Sequence, residues 1–369
     1  MASLAERQYD RILLIKSSAM GDVIHALPVL RKLRRRWPRA QIDWLVTPEN
    51  APLVRHHPDL SNVVLFDRKR FGKFGRNWSA TVGLVRLLND LRRAHYDLVL
   101  DLQAQLRSAL FCLASRAPVR IGFTQTRELA PLAYTVRVPA FAPDAHAVER
   151  NLAACDLLAL DREPPDFTLF EPPEAEARVQ ALLAAEGAAN RPLALLAPGT
   201  LWETKHWTSA GFAAVGRHLH SAGMNVLVVG SWTDRGRAAA VARDCPGAID
   251  LCGRTNLGEL MVLVRRSAMC VTNDSGTMHL AAALDRPLVS LFGPTSPLRT
   301  GPYRRPESVM RLELDCSPCF LRRKRACPHD HRCLETLDPA MVIERIDALL
   351  AEQRPGCVTA AMRPSIVAS

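Results

Sequence analysis

The sequence predicts an α/β protein with two mostly parallel sheets, each wrapped by helices. Three observations predict it. Short apolar runs alternate with longer amphipathic ones, the alternation occurs twice, and a Pro- and acid-rich segment around 161–173 parts the two series. In the first series strands read at 12–16, 42–46, 63–66, 98–102 and 119–122, runs of four or five residues rich in Ile, Leu and Val. Helical spacing of apolar residues falls between them at 23–37, 78–94, 106–115 and 147–160. The second series has strands at 193–197, 226–230, 249–252, 269–272 and 288–292, again with helices between, and an amphipathic run at 339–352 closes it. The expected division is a first domain at 1–165, a second at 166–353 and a loose tail at 354–369.

At 369 residues the chain is long enough for two cores, and its 48% hydrophobic and 23% charged content is that of a soluble globular protein. No apolar run reaches the roughly 18–20 residues that cross a bilayer. The opening MASLAERQYD lacks a basic-then-apolar leader, so a cytoplasmic protein is expected. The net charge of +11 is lopsided: residues 1–160 hold 24 Lys and Arg against 14 Asp and Glu, and residues 161–369 hold 24 against 23. The cations gather as RKLRRR (31–36), RKRFGKFGR (68–76) and RRKR (322–325). A basic half beside a neutral one points to an anionic partner: a membrane surface, an acidic substrate carried on it, or nucleic acid. A solvated helix face reads the same in any single run. Nucleic acid is not expected, because aromatic-studded RNA motifs and zinc-finger spacing are both missing from the sequence.

Parallel sheets bind ligands at the carboxyl ends of their strands, so the loops there are the candidates. KSSAMGD (16–22) follows the first strand; its single glycine fits neither the P-loop nor the dinucleotide fingerprint. Asp22 precedes a helical pattern and suits either an N-cap or a general base at the mouth of a cleft. His25, one turn on, suits assisting it or packing beside it. In the second half, PGTLWETKHW (198–207) follows the strand at 193–197. Gly199 and Thr200 can approach a phosphate and Lys205 can neutralise one, while Trp202 and Trp207 suit covering a ring or, more simply, packing. In GSWTD (230–234) the Asp234 carboxylate can hold a ribose hydroxyl. The stretch 268–294 delivers Asp274, Ser275 and Gly276 from a strand into a helix start. Unpaired N–H groups and the helix dipole favour an anion there, and glycine permits close approach. An ordinary capped strand–helix turn has the same sequence pattern.

KSSAMGDVIHALPVL (16–30) and VTNDSGTMHLAAALDRPLVSLFGPTSP (271–297), with APGTLWETKHW (197–207) and LVVGSWTDR (227–235) in order between them, resemble the ADP-heptose:lipopolysaccharide heptosyltransferase family over roughly 11–350. The resemblance implies a GT-B architecture, two facing Rossmann-like domains. It also implies inverting, metal-independent transfer of heptose from ADP-L-glycero-D-manno-heptose to the lipopolysaccharide inner core, with no cofactor. Residue by residue, Asp22 falls on the family's proposed catalytic base, Lys205 on its phosphate-binding lysine and Thr200 on the phosphate-side hydroxyl. Asp274, Ser275 and Gly276 fall on the sugar- and diphosphate-binding turn, with His279 one helical turn further on. Asp234 is expected on the donor side, and Ser18, Met20 and His25 on the acceptor side. The implied partners are ADP-heptose, a Kdo–lipid A acceptor and the anionic inner face of the inner membrane. SSAMGD is typical of heptosyltransferase I, and the Cys-rich ending 316–342 of heptosyltransferase II, which leaves the acceptor position open.

Six cysteines are scattered, as reduced thiols would be, but Cys316, Cys319, Cys327 and Cys333 form C-x2-C-x7-C-x5-C near His329 and His331. The first pair has zinc-knuckle spacing and the second does not, so a packed or redox-sensitive loop is expected and no metal site. Besides transfer, two readings compete: an epimerase or hydrolase of a nucleotide sugar that needs no acceptor, and a basic nucleic-acid-binding protein.

Overall fold

The computed structural model describes residues 3–126 and 128–352; the expected tail at 354–369 lies outside them. The first sheet comprises β1 (Arg11–Ile15), β2 (Gln41–Val46), β3 (Asn62–Leu65), β4 (Leu98–Asp101), β5 (Val119–Phe123) and β6 (Val136–Val138), in the order β3-β2-β1-β4-β5-β6. The second comprises β7 (Leu193–Ala197), β8 (Asn225–Val228), β9 (Ile249–Asp250), β10 (Ser267–Asn273), β11 (Leu288–Leu291) and β12 (Val309–Met310), in the order β12-β11-β10-β7-β8-β9. Every pairing is parallel. Central strands such as LLI of β1 and LALLA of β7 are buried throughout, because helices cover both faces of each sheet. β6 and β12 were not expected; three and two residues are too short to show a periodicity. The helix expected at 23–37 is two helices, Met20–Ile24 and Leu27–Arg36, with Pro28 in the first turn of the second.

Each order reverses direction once. The chain builds β1, β2 and β3 outward and returns to the other side of β1 for β4; it does the same from β7 to β10. The registers Ile15↔Asp101 and Thr272↔Ala197 bring the following loops level with one another. Crevices form at such reversal points, and here they lie beside 16–19 with 102–105, and 198–205 with 274–275.

The segment after the first sheet is fastened back onto it. Lys32 Nζ donates to the Asp161 carbonyl at 2.7 Å, Asp161 Oδ1 at 2.8 Å and the Glu163 carbonyl at 2.8 Å. Arg35 grips both oxygens of Asp161 at 2.9 and 3.0 Å, and Arg31 bridges Asp59 at 2.6 Å and Asp166 at 2.8 Å. Hydrogen bonds from Arg35 and then Lys32 hold the Asp161 carboxyl down to about 2. At the far end, helix Pro339–Glu352 packs on helix Ser209–Ser221 and on β11.

Candidate active site

Lys16 follows β1. Its buried ammonium donates to the Leu102 carbonyl at 2.6 Å and stands 3.8 Å from Asp22 Oδ1. Gln103, at the end of the neighbouring strand, accepts at Oε1 from the Ser17 N–H at 3.0 Å, the Ser17 hydroxyl at 3.2 Å and the Ser18 N–H at 3.3 Å. Buried Asp101 fixes Gln103 in turn: its Oδ1 accepts the Gln103 and Ala104 N–H groups, each at 3.0 Å, and its Oδ2 accepts the Tyr134 hydroxyl at 2.8 Å. Asp22 is the third residue of its helix, and Oδ2 reaches back to the Ala19 N–H at 3.1 Å. The N-cap position is therefore Ala19, not Asp22. A carboxylate at the third position answers a free N–H of the first turn equally well, and its side chain remains 47% exposed, open to a ligand.

In the second half, Asp274 is buried and its Oδ2 lies 2.7 Å from Lys205 Nζ and 2.6 Å from the Thr295 hydroxyl. The Thr200 hydroxyl donates to the Asp274 carbonyl at 3.0 Å. Asn273 staples the two loops, accepting from the Trp207 N–H at 3.1 Å and donating to the Pro198 carbonyl at 2.8 Å. Lys205 and Arg322 lie over the Trp202 ring, 4.6 and 4.7 Å from its centroid. Trp207 is a buried anchor bonded to the Leu337 carbonyl at 3.1 Å. Ser275 holds the N-cap of helix Gly276–Ala283 with extended backbone, yet its buried hydroxyl has no hydrogen-bond partner among the described residues. Asp234 accepts from the Ser231 N–H at 2.9 Å and hydroxyl at 2.6 Å. A Cβ on Gly199 would stand 2.4 Å from the Asp234 carboxyl carbon, so the missing side chain lets the Asp234 carboxylate pack against the main chain there.

The halves meet through the helices that carry these loops. A Cβ on Gly276 would lie 2.7 Å from Met20 Sδ, and one on Gly21 would lie 2.1 Å from His279 Cδ2. His25 Nε2 and His279 Nδ1 share a hydrogen bond at 3.0 Å. Burial first, then the neighbouring His279, keeps His25 well below its usual range. Burial, opposed by Asp274 and Asp22, brings His279 to about 4. Two neutral histidines thus form a joint between the halves. Asp22, Ser18, Met20 and His25 are brought to one side of this joint, and Thr200, Lys205, Asp274, Ser275, Gly276 and His279 to the other, with Asp234 behind Gly199.

Gln103 was not legible in the sequence, where it sits in an unremarkable QAQ; only its strand's place beside β1 gives it a role. Cys316, Cys319, Cys327 and Cys333 line one cavity of about 190 Å³ together with His329. Their thiols are free, and burial with the three neighbouring thiols raises Cys333 to about 11. Among the described residues no group of three or more His, Cys, Asp or Glu is arranged to hold a metal ion.

Residues 84–329 match glycosyltransferase family 9 (heptosyltransferase). The chain is 32% identical over 363 residues to lipopolysaccharide heptosyltransferase 1 of Pseudomonas aeruginosa, covering 92% of this chain and 98% of that one. It is 28% identical over 360 residues to lipopolysaccharide heptosyltransferase 2 of Salmonella typhimurium, covering 93% and 99%. Among solved structures, the ADP-heptose lps heptosyltransferase II of E. coli superposes with a TM-score of 0.72 at 26% identity, covering 93% of this chain and 99% of that one. The paired sheets have the GT-B architecture of these enzymes, and the chain belongs to glycosyltransferase family 9, the heptosyltransferases.

Proposed function

We propose that the chain moves heptose from ADP-L-glycero-D-manno-heptose onto the lipopolysaccharide inner core, at Kdo or the first heptose, with inversion and without a metal. The observation that carries this reading is that the helix bearing Asp22 packs, through Met20 on Gly276, against the helix that follows the Lys205-bound Asp274. Asp22 takes the proton of the acceptor hydroxyl as that oxygen attacks the anomeric carbon from the face opposite the diphosphate. The new C–O bond forms as the bond to the diphosphate oxygen breaks, and ADP leaves with the electron pair. Lys205, the unpartnered Ser275 hydroxyl and the first N–H groups of helix Gly276–Ala283 receive the charge that grows on the leaving group. Asp274, held by Lys205 and Thr295, orients the sugar; Thr200 borders the diphosphate, and Asp234 takes a ribose hydroxyl. Ser18, Met20 and His25 border the acceptor, and His279 joins the donor side to it. In this reading residues 1–165 serve the acceptor and 166–353 the donor.

The reading extends to the cytoplasmic face of the inner membrane. Among the described residues no helix is long and apolar enough to cross a membrane. Support for peripheral contact comes from the run 68–76, where exposed Phe74, with Trp78 just beyond, stands among exposed Lys73 and Arg76.

The test is ADP release from ADP-heptose, with and without a deep-truncated Kdo-bearing lipid A acceptor, in EDTA, for wild type and Asp22→Asn. Acceptor-dependent release that survives EDTA and falls by roughly 10²-fold or more in the variant is expected. Release that ignores the acceptor would replace transfer with hydrolysis or epimerisation.

A further inference from the structure

A second pair of charged groups lies where the two halves touch and takes no part in the mechanism above. Arg150 lies on helix Ala147–Asp156, whose Asn151 donates to the His25 carbonyl at 3.0 Å and so fastens this helix to the one bearing Asp22. Arg299 lies in the short helix Pro297–Thr300 of the other half. The two elements touch: His146 Nε2 is bonded to the Gly301 carbonyl at 3.0 Å, and Glu149 is bonded to the Tyr303 hydroxyl and lies 3.7 Å from Arg304. Arg150 and Arg299 flank this contact from opposite halves.

Neither guanidinium has a hydrogen bond or an ion pair among the described residues. Each rests only on a phenyl ring, Arg150 over Phe141 at 5.5 Å and Arg299 over Phe320 at 5.2 Å. Both are half-buried. They are also close enough to feel each other: burial first, then the Arg299 charge, lowers the proton affinity of Arg150, and the Asp22 carboxylate opposes them. Other half-buried arginines have their donors taken, Arg31 by Asp59 and Asp166, Arg305 by Asp285 and Glu307, and Arg34 and Arg120 by backbone carbonyls. The one acid beside Arg150 on its own helix, Glu149, is already engaged by Tyr303 and Arg304. Two guanidiniums from opposite walls, with their donors unused and one carboxylate nearby, leave a net positive site. Its planar forks suit a carboxylate or phosphate, which accepts two parallel N–H bonds from each arginine.

We propose that Arg150 and Arg299 together hold an anionic group of the acceptor sugar, a carboxylate or phosphate adjacent to the hydroxyl that Asp22 deprotonates. This rests on the transfer reading above. It separates the duties of the cations: Lys205 serves the leaving diphosphate, and the arginine pair serves the acceptor. Because one arginine comes from each half, the acceptor's own charge draws the cleft walls together.

The experiment uses the full chain with Arg150→Gln, Arg299→Gln, the double variant and Arg150→Lys. Three quantities are read: the acceptor KM, the Kd of ADP by calorimetry, and the Kd of a lipid-free Kdo disaccharide without donor. Each Gln variant should raise the acceptor KM and the disaccharide Kd by roughly tenfold or more, with the Kd of ADP within twofold, which also reports that the fold is intact. Arg150→Lys should recover part of the loss, and stands in should a Gln variant not fold. Esterifying the disaccharide carboxylates should weaken wild-type binding by a similar factor and leave the double variant unmoved; undiminished wild-type binding of the ester would show that the arginines do not hold the acceptor's charge and would overturn the proposal. Unchanged acceptor KM and disaccharide Kd would overturn the proposal. A tenfold weaker ADP complex with unchanged disaccharide binding would assign the pair to the donor diphosphate and overturn it as well. Disaccharide binding that depends on the arginines in a protein without heptosyl transfer would sink the reaction and keep the site.

Discussion

In the run 31–36, Arg31, Lys32 and Arg35 end on Asp59, Asp161 and Asp166, and Arg34 on the carbonyls of Asp59, Pro38 and Ala40. In the run 68–76, Lys69 has only a surface pairing to Glu49 at 3.5 Å, Arg70 bonds to Ser79, and Lys73 and Arg76 make no ion pair among the described residues. As sequence the two runs are the same feature, a dense stretch of Arg and Lys. As structure the first is an internal clasp and the second an open positive surface. The difference lies in acids that reach the first run and not the second, Asp59 from 28 residues away and Asp161 and Asp166 from more than 100. A charge run therefore announces a partner but does not say whether the partner is the chain itself.

The comparison can be sharpened by removing charge from each run. The largest effect is expected from replacing Lys69, Lys73 and Arg76 together by Gln. At about 1 kcal/mol per cation near an anionic surface, binding to phosphatidylglycerol-rich vesicles should fall roughly 100-fold, with the melting temperature little changed. If vesicle binding is indifferent to this change, the open surface faces some other anion. Next is Lys32→Met. It removes a 5% exposed ammonium and leaves the Asp161 carbonyl and carboxylate and the Glu163 carbonyl without it. Urea unfolding should show a loss of about 2 kcal/mol, while the folded protein binds vesicles as before. A variant of full stability would dissolve the distinction between the runs. The smallest effect concerns acid. Asp161 titrates near 2 when folded, below its unfolded range, so its contribution is complete above about pH 5 and fades as the pH falls through the folded value. After discounting for partial exposure this is about 1 kcal/mol. Comparing the pH dependence of stability in wild type and Asp161→Asn between pH 5 and 2 isolates it; parallel curves would show that the clasp needs no charge there.

Much of the fold is readable from residues. The strands at 193–197 and the helix at 339–352 coincide with Leu193–Ala197 and Pro339–Glu352, because long buried stretches and long amphipathic ones carry strong periodicity. What sequence reasoning missed is short or remote. β6 and β12 are completed by their neighbours rather than by their own pattern. The break at His25 and Ala26 is hidden in a continuous apolar run and becomes visible only where His25 turns to meet His279, 254 residues on. Within the site, the loops named from sequence do gather at the two strand-order reversals. The pairings inside them are not local, however. Lys205 finds Asp274, Ser17 finds Gln103, and Arg150 approaches Arg299 only after the two halves are assembled.

The bare backbone at Gly21 and Gly276 has a consequence for how the cleft is calibrated. With His279 pressed on Gly21 and Met20 on Gly276, one side chain from each half rests directly on the bare main chain of the other. The spacing is therefore built into the polypeptide as a gauge, set before any substrate arrives. An added methyl group would run into the His279 ring at Gly21 and into the Met20 side chain, down to its Cβ, at Gly276. It would act as a shim, and its thickness would be transmitted to the distance between the two halves.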